Sequence, residues 1–430
     1  MKRFFLIATA LVLSWSAFAQ ESEVKVKVGG FIRNYAAFDT RVSYTGPEDF
    51  FYYAPRDVAM SGDQDMNAVS SIKFAALSTR LWVTASGFEW KGFKFDSRVE
   101  FDFYLGLSNT YSGAASCRFR QGWVRMAKND WGLTVGQAWH PMAADLAVSV
   151  ASMNSGTPYH GLSRTPQLQW NQRFNDNWSY TIALLGQMQY ASAGPFGQVA
   201  NYAVWGMIPE AYVGLNYQNG PWLLRVGGDA VSIKPRIDDR ATLAGTGTQK
   251  VNERLTTFTT YLYAQYKKGK FAFNTKLHFG QDGSHLSYQG GYGISGVKAD
   301  GISYEYTPTQ HFTGFVSALY GKTAQVGLLL GYWKNFGTTK ALMDNGAGQP
   351  VGMYFRHGNG TNDPYNMYQS FRVMPSFFYN MGKFVFALEF ELDTMQYGDK
   401  ATINLQKGLC ENNLHWVMNP RVVSMVKYTF

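Results

Sequence analysis

Only two cysteines, Cys117 and Cys410, occur in 430 residues. So few exclude a scaffold built on disulfides. After the first twenty residues no apolar run reaches the ~18 residues a spanning helix needs, which excludes a helical membrane protein. No block of Lys and Arg is dense enough to act as a nucleic-acid arm, so no nucleic-acid partner is expected. No Gly-x-Ser-x-Gly or other nucleophile signature is present, and the chain does not read as an enzyme. The seven histidines are scattered, with no pair at metal-ligand spacing, so neither a metal nor a cofactor is expected. "DQDMN", with Asp63, Asp65 and Asn67, begins like a calcium loop but lacks the glycine and the distant glutamate.

What the chain does have is a leader and a pattern. "MKRFFLIATALVLSWSAFAQ" carries a basic start at Lys2 and Arg3, a short apolar core and an Ala17-Phe18-Ala19 cleavage site. It reads as a signal peptide over 1–19, with a mature chain from Gln20. Its loss takes the formal charge from +9 to +7. The remaining excess is spread singly along the chain, which favours small anionic solutes over a polyanion.

Alternating stretches bounded by turn residues recur sixteen times, near 24–42, 72–86, 93–106, 117–127, 131–140, 166–174, 178–191 and 208–218. They continue near 222–234, 255–267, 271–281, 305–320, 323–335, 366–379, 384–396 and 414–430. Every second connection is short and rich in turn residues, such as "AKNDWG", "YQNGPW" and "NMGK". The others are long. This strict alternation predicts an all-β fold: a transmembrane antiparallel up-and-down β-barrel of about 16 strands over 20–430. Short turns face the periplasm and long loops face outward.

"KFDSRVEFDFYLG" sets the facing. Phe95, Val99, Phe101 and Phe103 share one parity; Asp96, Arg98, Glu100 and Asp102 share the other. A Lys or Arg facing lipid at mid-membrane costs roughly 2–4 kcal/mol. The aromatics therefore face lipid and the charges face the lumen. The same rule turns Phe384, Phe386, Leu388 and Phe390 outward and Glu389, Glu391 and Asp393 inward. It also turns Asn274, Lys276 and His278 inward, which predicts a water-filled lumen. Trp90, Trp131, Trp178 and Trp222 at the short turns, with Tyr190, Trp333 and Tyr397 toward the long loops, read as two interfacial girdles. The last strand, "RVVSMVKYTF", ends on Phe430, a terminal aromatic of the kind that barrel assembly machinery reads.

"SRVEFDFYLG", "CRFRQGWVRM", "GLTVGQAWHPM" and "RTPQLQW" carry a family resemblance. Together they resemble the DcaP-like trimeric porins of Gram-negative outer membranes, most clearly over 28–175. The matching residues are Glu100, Asp102 and Phe103, then Arg118 and Arg120. Gly136, Gln137 and Trp139 follow, and then Arg164, Pro166 and Gln167. "GGFIRNYAAFD" fits the family's first strand. The resemblance implies a sixteen-stranded homotrimer that passes small polar, often anionic, solutes. It also implies that 141–165 folds into the pore as a constricting loop. The family's N-terminal coiled coil is not expected here, because the first strand begins about five residues after the cleavage site.

The expected pore lining follows. Arg80, Arg98, Arg118 and Arg120 lie on neighbouring strands with Glu100 and Asp102 among them. Asp145 and Arg164 stand in or beside the 141–165 segment. Arg225, Lys276 and Arg372 face inward farther along the chain, as do Glu389 and Glu391. A Cys117–Cys410 disulfide between outer loops is one open pairing. The function expected is passive diffusion of small hydrophilic solutes, with anions modestly preferred. A substrate-specific channel and a closed structural or adhesin barrel are the alternatives. Outer-membrane lipid, the barrel assembly machinery and small polar solutes are the expected partners.

Overall fold

A computed structural model describes residues 24–46, 51–76, 78–103, 116–358 and 363–430. The leader lies outside the described residues. Sixteen antiparallel strands close into one barrel. They are β1 (Lys25–Asp39), β2 (in two pieces, Ser71–Ala75 and Arg80–Trp90), β3 (Phe93–Asp102), β4 (Arg118–Lys128), β5 (Trp131–Trp139) and β6 (Arg164–Arg173). Next come β7 (Trp178–Leu185), β8 (Glu210–Asn219), β9 (Trp222–Ile233), β10 (Leu255–Lys268) and β11 (Phe271–Gln281). The last are β12 (Tyr304–Gly321), β13 (Ala324–Thr338), β14 (Met367–Met381), β15 (Phe384–Tyr397) and β16 (His415–Thr429). Each expected stretch corresponds to one of them. One short helix, α1 (Asn201–Gly206), sits in the connection between β7 and β8.

Closure is made by β16 pairing with β1, from Phe31 opposite Thr429 to Asp39 opposite Arg421. Polar side chains reinforce that seam. Arg421 Nε lies 3.1 Å from Asp39 Oδ1. The Asn419 amide donates to Asp39 at 3.0 Å and accepts from the Thr40 N–H at 2.8 Å.

The outer face follows the parity argument. Val99, Phe101, Phe384, Phe386, Leu388 and Phe390 are exposed, while Glu100, Asp102, Glu389, Glu391 and Asp393 are buried. A row of apolar side chains all round, with no sheet edge, is what hydrocarbon requires of a spanning sheet. Strands β3 to β8 have 8 to 11 residues, close to the roughly 9–11 needed to cross a bilayer. Strands β12 to β16 have 14 to 18 residues.

Three expectations shift. The stretch near 178–191 stops at Leu185 as a strand, because the Gln187 side chain ties back to Ser192 through two hydrogen bonds of 2.9 Å. The outer girdle is not built from Trp333 and Tyr397, which are fully buried. Both sit on inward parity: Trp333 Nε1 donates to the Gln289 carbonyl and the Tyr397 hydroxyl donates to the Pro55 carbonyl. Phe336, Tyr332 and Trp416 take the exposed positions there.

The lumen is the third. A lumen holding a water-filled channel was expected; on its β11–β16 side the interior is packed. Tyr159 of the 141–165 segment meets Phe315, Leu329, Trp333, Met374 and Met395 in one buried cluster. The 43–71 connection also turns inward, and its short strand Tyr52–Pro55 is entirely buried. Two strand glycines make room for this filling. A Cβ on Gly331 would stand 2.5 Å from the Tyr159 ring, and one on Gly327 would stand 2.6 Å from Ser149 Cβ.

Candidate permeation site

The 141–165 segment leaves the end of β5 and crosses the interior, held by side chains from successive strands. Arg225 on β9 donates to both Asp145 oxygens, at 2.5 and 2.6 Å. Lys276 on β11 donates to the Met142 and Asp145 carbonyls, and Asn274 beside it donates to the Leu146 carbonyl. Ser376 on β14 donates to the Ser149 carbonyl, and Arg372 donates to that of Thr157. Finally, Glu389 on β15 accepts the N–H groups of Ala151 and Ser152 at 2.7 and 3.1 Å. A buried loop must satisfy its backbone polar groups somewhere. Here polar wall residues of the lumen do it.

Four of the expected pore-lining residues therefore stand elsewhere. Lys276, Arg372, Glu389 and Glu391 face inward but are at most 1% exposed. They lie beneath the inserted segments, where water does not reach. Arg372 pairs with Asp393, and Arg421 pairs with Glu391 and Asp39. Parity gave their direction; it carried no information on what would cover them.

Arg80, Arg98, Arg118 and Arg120 are brought together, as are Glu100 and Asp102. Arg120 lies 2.7 Å from each carboxylate, Arg118 lies 2.8 Å from Asp102, and Arg98 lies 2.5 Å from Glu100. Arg80 is looser, at 3.5 and 3.8 Å. A bulge helps to build this cluster. The β3–β4 register slips between Glu100 and Phe101, so Glu100 faces Gln121 while Phe101 faces Phe119. Consecutive residues Arg120 and Gln121 are both buried on the inner side, and both donate to Glu100.

Two more arginines join. Arg164 on β6 donates to the Tyr190 hydroxyl at 3.0 Å and stacks 5.1 Å from the Trp139 ring. Arg33 on β1 donates to Ser78 and lies over Phe31 and Tyr35. The sequence reading missed Arg33, although it shares inward parity with Tyr35 and Asp39. Tyr190 was misread as a girdle residue; it sits in an aperiodic loop, which gives no parity to read. Burial pushes the Tyr190 hydroxyl up, but Arg164, Arg118 and Arg120 outweigh this and bring it below its ordinary value. The phenol thus senses a positive local potential.

Three recesses that share lining residues lie along this wall. An outer one of about 280 Å³ contains Phe51, Arg118, Tyr190 and Arg356. A middle one of about 130 Å³ shares Phe51, Arg118 and Tyr190 with it and adds Arg33, Arg80, Arg120 and Arg164. An inner one of about 430 Å³ shares Trp139 with the middle and reaches Asn177 and Gln218 at the short turns. Arg225 lines this inner recess. The smallest of the three volumes is thus the most basic: five guanidiniums and one carboxylate, Asp102, line it. Such a lining presents a net positive field to the space it encloses.

The open cysteine pairing resolves against a disulfide. Both thiols are free: Cys117 is exposed, and Cys410 is buried against Leu342, Met353 and Ile403. Asp65, weighed as a calcium ligand, is engaged by Arg41 at 2.6 Å.

No family model and no curated protein matches the chain. Solved structures do. The outer membrane channel DcaP of Acinetobacter baumannii superposes with a TM-score of 0.63 at 16% identity, covering 96% of this chain and 99% of that one. An OmpF from Salmonella typhi gives 0.52 at 9%, covering 94% and 98%. An anion-selective porin from Comamonas acidovorans gives 0.51 at 12%, covering 95% and 100%. The fold is that of the outer-membrane porins. These neighbours cover 94–96% of this chain.

Proposed function

We propose that this chain is a passive porin of the Gram-negative outer membrane, related to the DcaP-like channels, and that it passes small hydrophilic solutes with a modest preference for anions. The observation that carries this reading is the middle recess, the smallest of the three, which is lined by five arginines and one carboxylate. Low-dielectric walls focus the field of such a group across the path. Charged rings of this kind set selectivity in pores. The Debye length of ~8 Å at physiological salt keeps the preference modest and makes it weaken as salt rises.

The apolar outer face and the leader over 1–19 support export to that membrane, with assembly machinery reading the last strand. The 141–165 segment is the constricting element in this reading, and the barrel assembles as a homotrimer. Planar-bilayer recording tests the proposal. A reversal potential across a salt gradient should have the anion-selective sign and shrink at high salt. A cation-selective pore, or no conductance at all, would overturn it, the second in favour of a closed structural barrel. Saturable block by one solute class would move it to a substrate-specific channel.

A further inference from the structure

Away from the arginines, the fold gathers four residues that are far apart in sequence. His140 stands at the root of the 141–165 segment, Glu210 opens β8, Asp229 lies on β9, and His285 sits in the connection after β11. All four are at least nine-tenths buried. Ligand atoms of His140, Glu210 and Asp229 all lie within 4.8 Å of one another. His285 Nε2 lies 3.4 Å from Asp229 Oδ2 and 3.6 Å from Glu210 Oε1.

Three buried atoms of the cluster lack a hydrogen-bond partner among the described residues: Glu210 Oε2, Asp229 Oδ1 and His285 Nδ1. Buried carboxylate oxygens are seldom left so, and each such atom calls for an explanation. The spacing of the other donor atoms of these three residues bears on what could fill the cluster. Around a tetrahedral ion with bonds of about 2.0–2.1 Å, neighbouring donor atoms stand roughly 3.3 Å apart. The His285–Asp229 and His285–Glu210 separations are near that value.

The fourth residue has a different part. The Met142 N–H donates to His140 Nδ1 at 3.1 Å. That leaves the ring hydrogen on Nε2, which donates to Glu210 Oε1 at 2.5 Å. His140 is therefore placed to orient a ligand and is poorly placed to be one. Histidine–carboxylate contacts of this kind commonly fix ligand geometry around metals. Two carboxylates also match the charge of a dication. Glu210 also borders a cleft of about 380 Å³.

We propose that Glu210, Asp229 and His285 form a binding site for a divalent transition metal of the zinc type, with His140 as the positioning residue. A bound ion would clip three segments together: the wall of β8 and β9, the root of the inserted segment, and the connection after β11. Sequence spacing does not reveal such a site, because its ligands come from strands and loops that only barrel closure brings together.

The test uses the full-length protein in detergent, stripped with a chelator and titrated with Co²⁺ alone, then with Zn²⁺. One Co²⁺ per chain is expected, with the intense visible band of four-coordinate cobalt, bleached when Zn²⁺ displaces it. His285→Asn should lose the band and weaken binding at least tenfold. His140→Gln should keep the band and the stoichiometry but weaken binding by about ten- to a hundredfold. The heat-modifiable migration of a folded barrel checks each variant. Wild-type protein with no saturable Co²⁺ binding would overturn the proposal whether or not the variants fold. So would a His285→Asn protein that keeps the band, which would leave the cluster as a set of ion pairs and no more.

Discussion

The two sides of this barrel use the same residues for opposite ends. On β2 to β4, Arg80, Arg98 and Arg118 keep 15–25% of their side chains exposed. Together with Arg120 they outnumber their carboxylate partners two to one. On β14 to β16, Arg372 and Arg421 are sealed and matched by Asp393, Glu391 and Asp39. Nothing local in the strands separates these arginines. What differs is the cover: inserted backbone lies over one side and leaves the other open. Inward charge therefore acts as attachment where backbone lies over it and as a field where solvent does.

The comparison breaks most readily on the sealed side. Arg372→Leu leaves Asp393 buried without its partner and removes the donor to the Thr157 carbonyl. A loss of about 3–5 kcal/mol is expected. A large drop in apparent melting temperature in detergent would report it, while ion selectivity in surviving channels should hold.

Acid should strike the same side. Burial, with help from Lys276, lowers His160 in the inserted segment to about 4. The unfolded chain takes up that proton near its ordinary value of about 6.5, and the folded chain does not. Stability from this group is thus full above pH 6.5 and declines as pH falls toward 4, by roughly 3 kcal/mol in all. Melting temperature measured against pH should show that limb, and His160→Asn should flatten it.

Gly331→Val puts a side chain where the Tyr159 ring lies. Overpacking of about 1–3 kcal/mol is expected, with a change in conductance as the inserted segment is displaced. Equal conductance and equal melting would mean that the close approach of Tyr159 to β13 holds nothing in place.

The open side gives the clearest functional effect. Arg118→Ala with Arg120→Ala should lower the anion-over-cation permeability ratio by roughly two- to tenfold. Melting should fall too, because Glu100 and Asp102 are buried and lose their closest partners. If selectivity is unmoved, these arginines only neutralise Glu100 and Asp102.

Much of this was legible in the sequence, for a physical reason. A spanning strand has only two environments, so parity and one charge penalty orient it completely. Val99, Phe101, Glu100, Asp102 and the strand order followed from that. The alternation of turn lengths gave the strand count. What could not be read was anything decided by packing between segments distant in sequence. Lys276 and Glu389 face inward as expected, yet only the course of the inserted segment settles that they are covered. Trp333 and Tyr397 were misread because an aromatic near a strand end can sit on either parity. The bulge at Arg120 breaks the period of two, which is the signal that parity depends on. Cys117 and Cys410 carried no geometric signal at all.

The seam between β1 and β16 bears on how the molecule comes to exist. Asp39 and Arg421 are both buried, and each meets the other only across the joint. Thr40 and Asn419 bond there over a separation of 379 residues. Until the last strand has been made and delivered, Asp39 has no arginine and Asn419 no acceptor. An unclosed sheet keeps Lys73 beside Asp39 and Glu391 beside Arg421, but it lacks the Asp39–Arg421 pair and leaves the backbone of both edges unpaired. Closure in another register would separate Asp39 from Arg421 and Thr40 from Asn419, so these contacts favour the observed one. The register of the seam is thereby set by side-chain contacts as well as by the backbone ladder.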